Sequence, residues 1–196
     1  MYVVGNEYSG SLNSSIATVW KNGQSIKLSE ETSEANAICI YNNEVYVAGY
    51  KEINDKKTAI VWKIGKEETP LYSESDDLES IATDIYVDNN GVYVTGILRN
   101  STKSTAMFWK NSIATPLSDE STYSEAKTLF VDKSDVYVLG CDIDTHEYDF
   151  IGKIWKNGVL VKEIEGANPV SIDIKNNKMY IAAFGLDDKG ISQENK

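Results

Sequence analysis

The sequence holds a single histidine, His146, within the stretch Cys-Asp-Ile-Asp-Thr-His-Glu-Tyr-Asp that runs from Cys141 to Asp149. In an extended segment alternate side chains project to the same side, so Asp142, Asp144 and His146 would point together. Two carboxylates and an imidazole are ligands for a divalent metal. Their spacing matches neither an EF-hand loop nor a zinc site rich in cysteine and histidine. The trio is therefore a weak metal candidate, and the sequence implies no cofactor. A serine or cysteine triad that needs a histidine would have to use the same residue. No G-x-S-x-G elbow, P-loop or G-x-G-x-x-G occurs. The 30 acidic residues supply carboxylate pairs for glycosidic cleavage by number alone, so they select no pair. No catalytic residue is assigned.

The carboxylates concentrate in short polar runs. Glu30 and Glu31 stand in the first, Asp76 and Asp77 in the second, and Asp119 and Glu120 in the third. A net charge of −11 opposes the neutralisation of phosphates, so nucleic acid is excluded as a partner. No window approaches the roughly 18 apolar residues of a membrane-spanning helix, and no membrane insertion is expected. The N-terminus lacks a charged segment followed by an apolar one, so no signal peptide is expected in this chain. Cys39 and Cys141 lie in no C-x-x-C pattern and read as two unrelated free thiols.

The elements that position these runs follow from a repeat. Tyr2, Tyr46, Tyr93, Tyr137 and Tyr180 are separated by 44, 47, 44 and 43 residues. Each opens a Tyr-Val-x-Gly stretch or a close variant, ending in Gly5, Gly49, Gly96, Gly140 and Ala183. Trp20, Trp62, Trp109 and Trp155 follow at 16 or 18 residues, within Trp-Lys-Asn-Gly or a variant of it. Asn-Gly after an apolar strand is a strong hairpin signal, because both residues tolerate the positive φ of a type I′ turn. A fourth element, Ala-x-x-Ile-x-Val in form, precedes each tyrosine strand after the first.

One repeat is thus four short antiparallel strands, a to d: the alanine-led strand, the tyrosine strand, the tryptophan strand and a short outer strand. Tyrosine and β-branched residues favour this assignment. No stretch shows the 3.6-residue period of a helix between turn signals. Strand b is apolar on both sides and should be covered on both faces. Four-stranded sheets repeated at about 45 residues describe the blades of a β-propeller. The expected fold is all-β: a propeller-like array of about four blades plus an extra strand, occupying residues 1–185, with a polar tail at 186–196. Strand b occurs five times and the other strands four, so the array should be a partial or open propeller.

The stretch Val-Asp-Asn-Asn-Gly-Val-Tyr-Val-Thr-Gly, from Val87 to Gly96, resembles the bacterial β-propeller repeat of exported or surface-attached proteins. The resemblance covers nearly the whole chain. It implies a binding scaffold in an extracytoplasmic or cell-surface setting, with no shared catalytic residue.

Strand order places the a–b and c–d turns on one face, with Lys21, Lys63, Lys110 and Lys156. The b–c loops and the acidic d–a connections share the other face. Short turns opposite long, divergent loops are how a rigid scaffold displays a binding surface. The leading expectation is a non-catalytic scaffold that binds a protein or glycan through an acidic face containing Glu30, Glu31, Asp76, Asp77, Asp119 and Glu120. A carbohydrate-active hydrolase or lyase, and a purely structural segment of a larger surface protein, remain alternatives. Open blade edges also offer a route to self-association.

Overall fold

A computed structural model describes residues 1–9, 14–71, 78–119, 123–143, 150–176 and 178–185. They form strands only. The first sheet has three: β1 (Tyr2–Ser9), β2 (Ser14–Lys21) and β3 (Gln24–Lys27). The second has β4 (Ser33–Tyr41), β5 (Glu44–Ile53), β6 (Lys56–Lys63) and β7 (Thr69–Pro70). The third sheet has eight strands and holds two blades: β8 (Glu79–Asp88), β9 (Gly91–Arg99), β10 (Ser104–Lys110) and β11 (Ile113–Pro116) follow the same order in one. The other repeats it with β12 (Tyr123–Asp132), β13 (Asp135–Ile143), β14 (Phe150–Lys156) and β15 (Val159–Glu165), joined to the former by the single parallel pair Ser104↔Tyr123. A two-stranded sheet of β16 (Ala167–Lys175) and β17 (Lys178–Gly185) ends the array. The architecture is the expected partial propeller: three full blades between a first blade lacking strand a and a last holding only a and b.

Local chemistry sets the turns. Asn22-Gly23, Asn111-Ser112 and Asn157-Gly158 all have positive φ, as a type I′ hairpin requires. The asparagine also ties the turn to strand b: Asn111 Oδ1 accepts from the Val92 N–H at 2.9 Å, and Asn157 Oδ1 from the Val136 N–H at 2.8 Å. The second blade has Ile64 there, and a β-branched residue resists positive φ. Its turn instead closes by the Lys66 N–H donating to the Lys63 carbonyl at 2.9 Å.

The glycine that ends the second, third and fourth tyrosine stretches has a steric cause. Strand a carries a β-bulge just after its alanine, so the register slips at Ala35/Ala37, Ala82/Asp84 and Ala126/Thr128. The bulge drives the carbonyl before that alanine onto strand b. A Cβ on Gly49, Gly96 or Gly140 would lie 1.9, 2.0 or 1.8 Å from the oxygens of Glu34, Ile81 and Glu125. Only glycine fits.

The core lies between blades. Trp62 packs with Ala17 and Val19 of the first blade, Trp109 with Ala48, Ala59 and Leu71 of the second, and Trp155 with Ala106 and Phe108 of the third. These three indoles are 4%, 0% and 1% exposed. Trp20, with no blade before it among the described residues, is only partly buried. The same motif thus gives three sealed indoles and one that is partly exposed.

Candidate ligand cleft on the loop face

The strand order does place the a–b and c–d turns at one end of the blades and the b–c loops and d–a connections at the other. On the turn face, Lys21, Lys63, Lys110 and Lys156 pair in register with Tyr2, Tyr46, Tyr93 and Tyr137. Their ammonium groups sit 5.5, 4.9, 5.1 and 5.3 Å from the ring centroids. That is cation–π distance. Two also meet carboxylates: Lys63 pairs with Glu44 at 2.5 Å and Lys156 with Asp135 at 2.8 Å. Hydrogen bonds from these lysines hold the Glu44 and Asp135 carboxyls below their usual range. The repeat lysines thus serve the strand b–strand c pairing.

The loop face departs from expectation in two ways. Two of its connections are tight. β5 and β6 meet at Asn54-Asp55, both with positive φ, in a two-residue hairpin where a long loop was expected. Likewise Glu163 and Glu165 belong to β15, and Gly166 alone leads to β16. The reason is local: Asn, Asp and Gly accept left-handed φ, so strands extend up to them.

Secondly, the acidity is interleaved with cations. Glu30 and Glu31 are exposed in the first d–a connection, but Glu31 lies 3.6 Å from Lys51 Nζ. Lys51 also binds Glu68, whose hydrogen bond raises the Lys51 ammonium above its ordinary pKa. Asp119 is exposed at the end of the third blade's outer strand. Asp76, Asp77 and Glu120 lie outside the described residues. Lys51, Lys56, Arg99 and Lys103 stand among the loop-face carboxylates, so this face is of mixed charge and not uniformly acidic.

Three blades enclose a cleft of about 670 Å³ on this face. Lys56 at the start of β6 forms one side. Glu79 and Arg99, from β8 and β9, form the floor with Ile97, and Asn100, Ser101 and Lys103 form the rim. Tyr123 and Glu125, from β12 of the next blade, close the far wall. Arg99 Nε donates to Glu79 Oε2 at 3.1 Å, across the register pair Glu79↔Arg99. Asn100 Oδ1 accepts from the Thr102 and Lys103 N–H groups at 2.9 and 3.1 Å, which shapes the rim. The two blades are fastened beside the cleft. Ser104 pairs parallel with Tyr123, and Ser104 Oγ donates to the Ser124 carbonyl at 3.0 Å. Glu125 faces Lys127 at 3.6 Å, and Lys127 in turn donates to Asn168 Oδ1 at 2.6 Å.

Arg99 is the only arginine in the sequence, and that singularity was the signal available for it. Tyr123 could not be told from the chain's eleven other tyrosines without the fold, since only the neighbouring blade sets it against Arg99.

Asp142 is buried, and its two oxygens are already used. Lys153 Nζ lies 2.5 Å from Oδ2, and Ser124 Oγ donates to Oδ1 at 2.5 Å. Burial opposes the charge on Lys153, but the contacts with Asp142 and Glu163 together outweigh it and raise the ammonium above its ordinary pKa. Asp144 and His146 lie outside the described residues. Among the described residues no three metal-ligating side chains converge. Asp84 is also engaged: its Oδ2 accepts from Thr128 Oγ1 and the Leu129 N–H, at 2.7 and 3.0 Å.

No family model and no curated protein sequence matches the chain. Among solved structures, the chain is similar to an exo-1,5-α-L-arabinanase from a bovine ruminal metagenomic library. The identity is 8% and the TM-score 0.49, over 95% of this chain and 84% of that one.

Proposed function

We propose that this chain is a non-catalytic binding scaffold that holds a glycan segment in the loop-face cleft. The observation that carries the reading is the cleft's lining: an aromatic ring, an amide, hydroxyls and charges of both signs on strand ends and the loop between β9 and β10. A hydroxyl-rich ligand needs donors and acceptors together, with an apolar surface for a sugar face. Arg99 and Glu79 supply a fixed donor–acceptor pair, and Tyr123 supplies the surface. A polymer of one charge would be attracted by half of this lining and repelled by the other half. A hydrolase would need two carboxylates committed to acid and base or nucleophile roles. Glu79 and Glu125 are instead engaged by Arg99 and Lys127 of the same protein.

The test is calorimetric titration with a panel of neutral oligosaccharides, beside unstructured peptides as the competing ligand class. Tyr123→Ala and Arg99→Ala should each weaken glycan binding by about tenfold, a loss of about 1.4 kcal/mol. Binding of peptides and not glycans would overturn the reading, and so would release of new reducing ends from a bound oligosaccharide.

A further inference from the structure

The place that opens as the cleft, at the seam of the third and fourth blades, has a match at the seam before it. Ile97 follows the motif glycine Gly96, stands opposite Ala106 on strand c and faces the fourth blade, because Ala106 packs with Trp155. Tyr50 follows Gly49, stands opposite Ala59 and faces the third blade, because Ala59 packs with Trp109. Two residues before these alanines, and so on the same faces, come Ser104 and Lys57. Ile97 and Ser104 both line the cleft.

At the preceding seam the matching place is filled. Tyr50 is 4% exposed, and the Lys57 ammonium lies 4.3 Å from its ring centroid. Burial pushes the Tyr50 phenol well above its ordinary pKa, and a hydrogen bond with Glu34 adds to the rise. The backbones of the two blades do not differ here. Both pair strands b and c in the same register, and both carry the strand a bulge just after the alanine. The longer connection between β9 and β10 adds the rim residues Asn100, Ser101 and Lys103. Beneath that rim, an isoleucine and a serine leave open what a phenol ring and a lysine stem fill one blade earlier.

We propose that Ile97 and Ser104 are the specificity-determining residues of the cleft. Their small bulk opens this seam and fixes the width of the sugar segment it admits, whereas Tyr50 and Lys57 close the seam before it. The proposal rests on the reading of the cleft as a glycan site. Its physical basis is that interiors are close-packed, so a seam with one blade geometry is open or shut according to the side chains that reach into it. Isoleucine also keeps the floor apolar, which suits the carbon face of a sugar ring.

Crystal structures of two variants, with calorimetry on one, provide the test. In Ile97→Tyr the introduced ring should fill the loop-face cleft while a cooperative thermal transition is retained. Titrated with cellotriose, mannotriose and xylotriose, Ile97→Tyr should bind at least about tenfold more weakly than the unmodified chain, as when extra atoms enter a shaped pocket. In the double variant Tyr50→Ile/Lys57→Ser a second cleft should open between the second and third blades. Should Ile97→Tyr fail to fold, Ser104→Lys carries the same expectation, its stem entering the cleft as that of Lys57 enters the preceding seam. An introduced ring that leaves the cleft open, undiminished binding by Ile97→Tyr, or a double variant whose seam stays closed would overturn the proposal. If none of the three sugars binds the unmodified chain, the glycan reading fails, while the two crystal structures still decide which side chains open a seam.

Discussion

Replacing the repeat tryptophans one at a time should separate inter-blade packing from every other source of stability. Trp109 is fully buried against Ala48, Ala59, Val61 and Leu71 of the preceding blade. Emptying such a site costs about 3–5 kcal/mol. Trp20 has the same motif but no preceding blade among the described residues, so Trp20→Ala should cost less, in proportion to the smaller area it buries. The indole N–H groups add a second contrast. Trp62 Nε1 donates to Glu68 Oε2 at 3.2 Å, whereas the buried Trp109 Nε1 has no acceptor among the described residues. A buried, unpaired N–H costs about 1–3 kcal/mol, and Trp109→Phe removes that cost along with a little packing. Trp109→Phe should therefore change stability by less than about 1 kcal/mol, and Trp62→Phe should cost more, because it leaves Glu68 without that donor. Guanidinium unfolding followed by far-UV circular dichroism reads each difference without relying on the fluorophore being removed. If Trp20→Ala costs as much as Trp109→Ala, or Trp109→Phe more than Trp62→Phe, the inter-blade account of these residues is refuted.

Other outcomes follow from the same contacts. Gly96→Ala should destabilise by about 3 kcal/mol or more, since its Cβ meets the Ile81 carbonyl, while Gly23→Ala in an open turn should cost about 1 kcal/mol; chemical denaturation compares them. The raised ammonium of Lys153 contributes stability fully present below the unfolded lysine pKa of 10.5 and lost as pH rises through its folded value. Lys153→Met should accordingly flatten the alkaline end of the melting-temperature profile. The depressed carboxyl of Asp135 acts at the other end, with stability present above 3.8 and lost as pH falls through its folded value, so Asp135→Asn should flatten the acid end. Burial raises the thiols of Cys39 and Cys141, so iodoacetamide at pH 7.5 should leave Cys141 unmodified until the chain is unfolded, as mass spectrometry would show.

Much of the architecture was legible in the sequence because its causes are local and recur. Alternating apolar residues, Asn-Gly turns and the tyrosine-to-glycine spacing defined four strands per blade, their order and the face on which each turn lies. The glycine at the end of the tyrosine stretch was visible as a pattern, but its cause at Gly49, Gly96 and Gly140, a bulge carbonyl arriving from strand a, required the paired strands. The cleft depended still more on tertiary structure. Arg99, Glu79 and Tyr123 meet because β8 and β9 of one blade abut β12 of the next, and separation in sequence hides such meetings. Charge was misleading for the same reason. A run such as Ser-Glu-Glu-Thr reads as acidic until the fold brings Lys51 to Glu31. The tryptophans draw the division most clearly. One motif placed all four in the same strand position, but Trp109 is sealed and Trp20 is only partly buried, because burial belongs to the neighbouring blade and not to the residue.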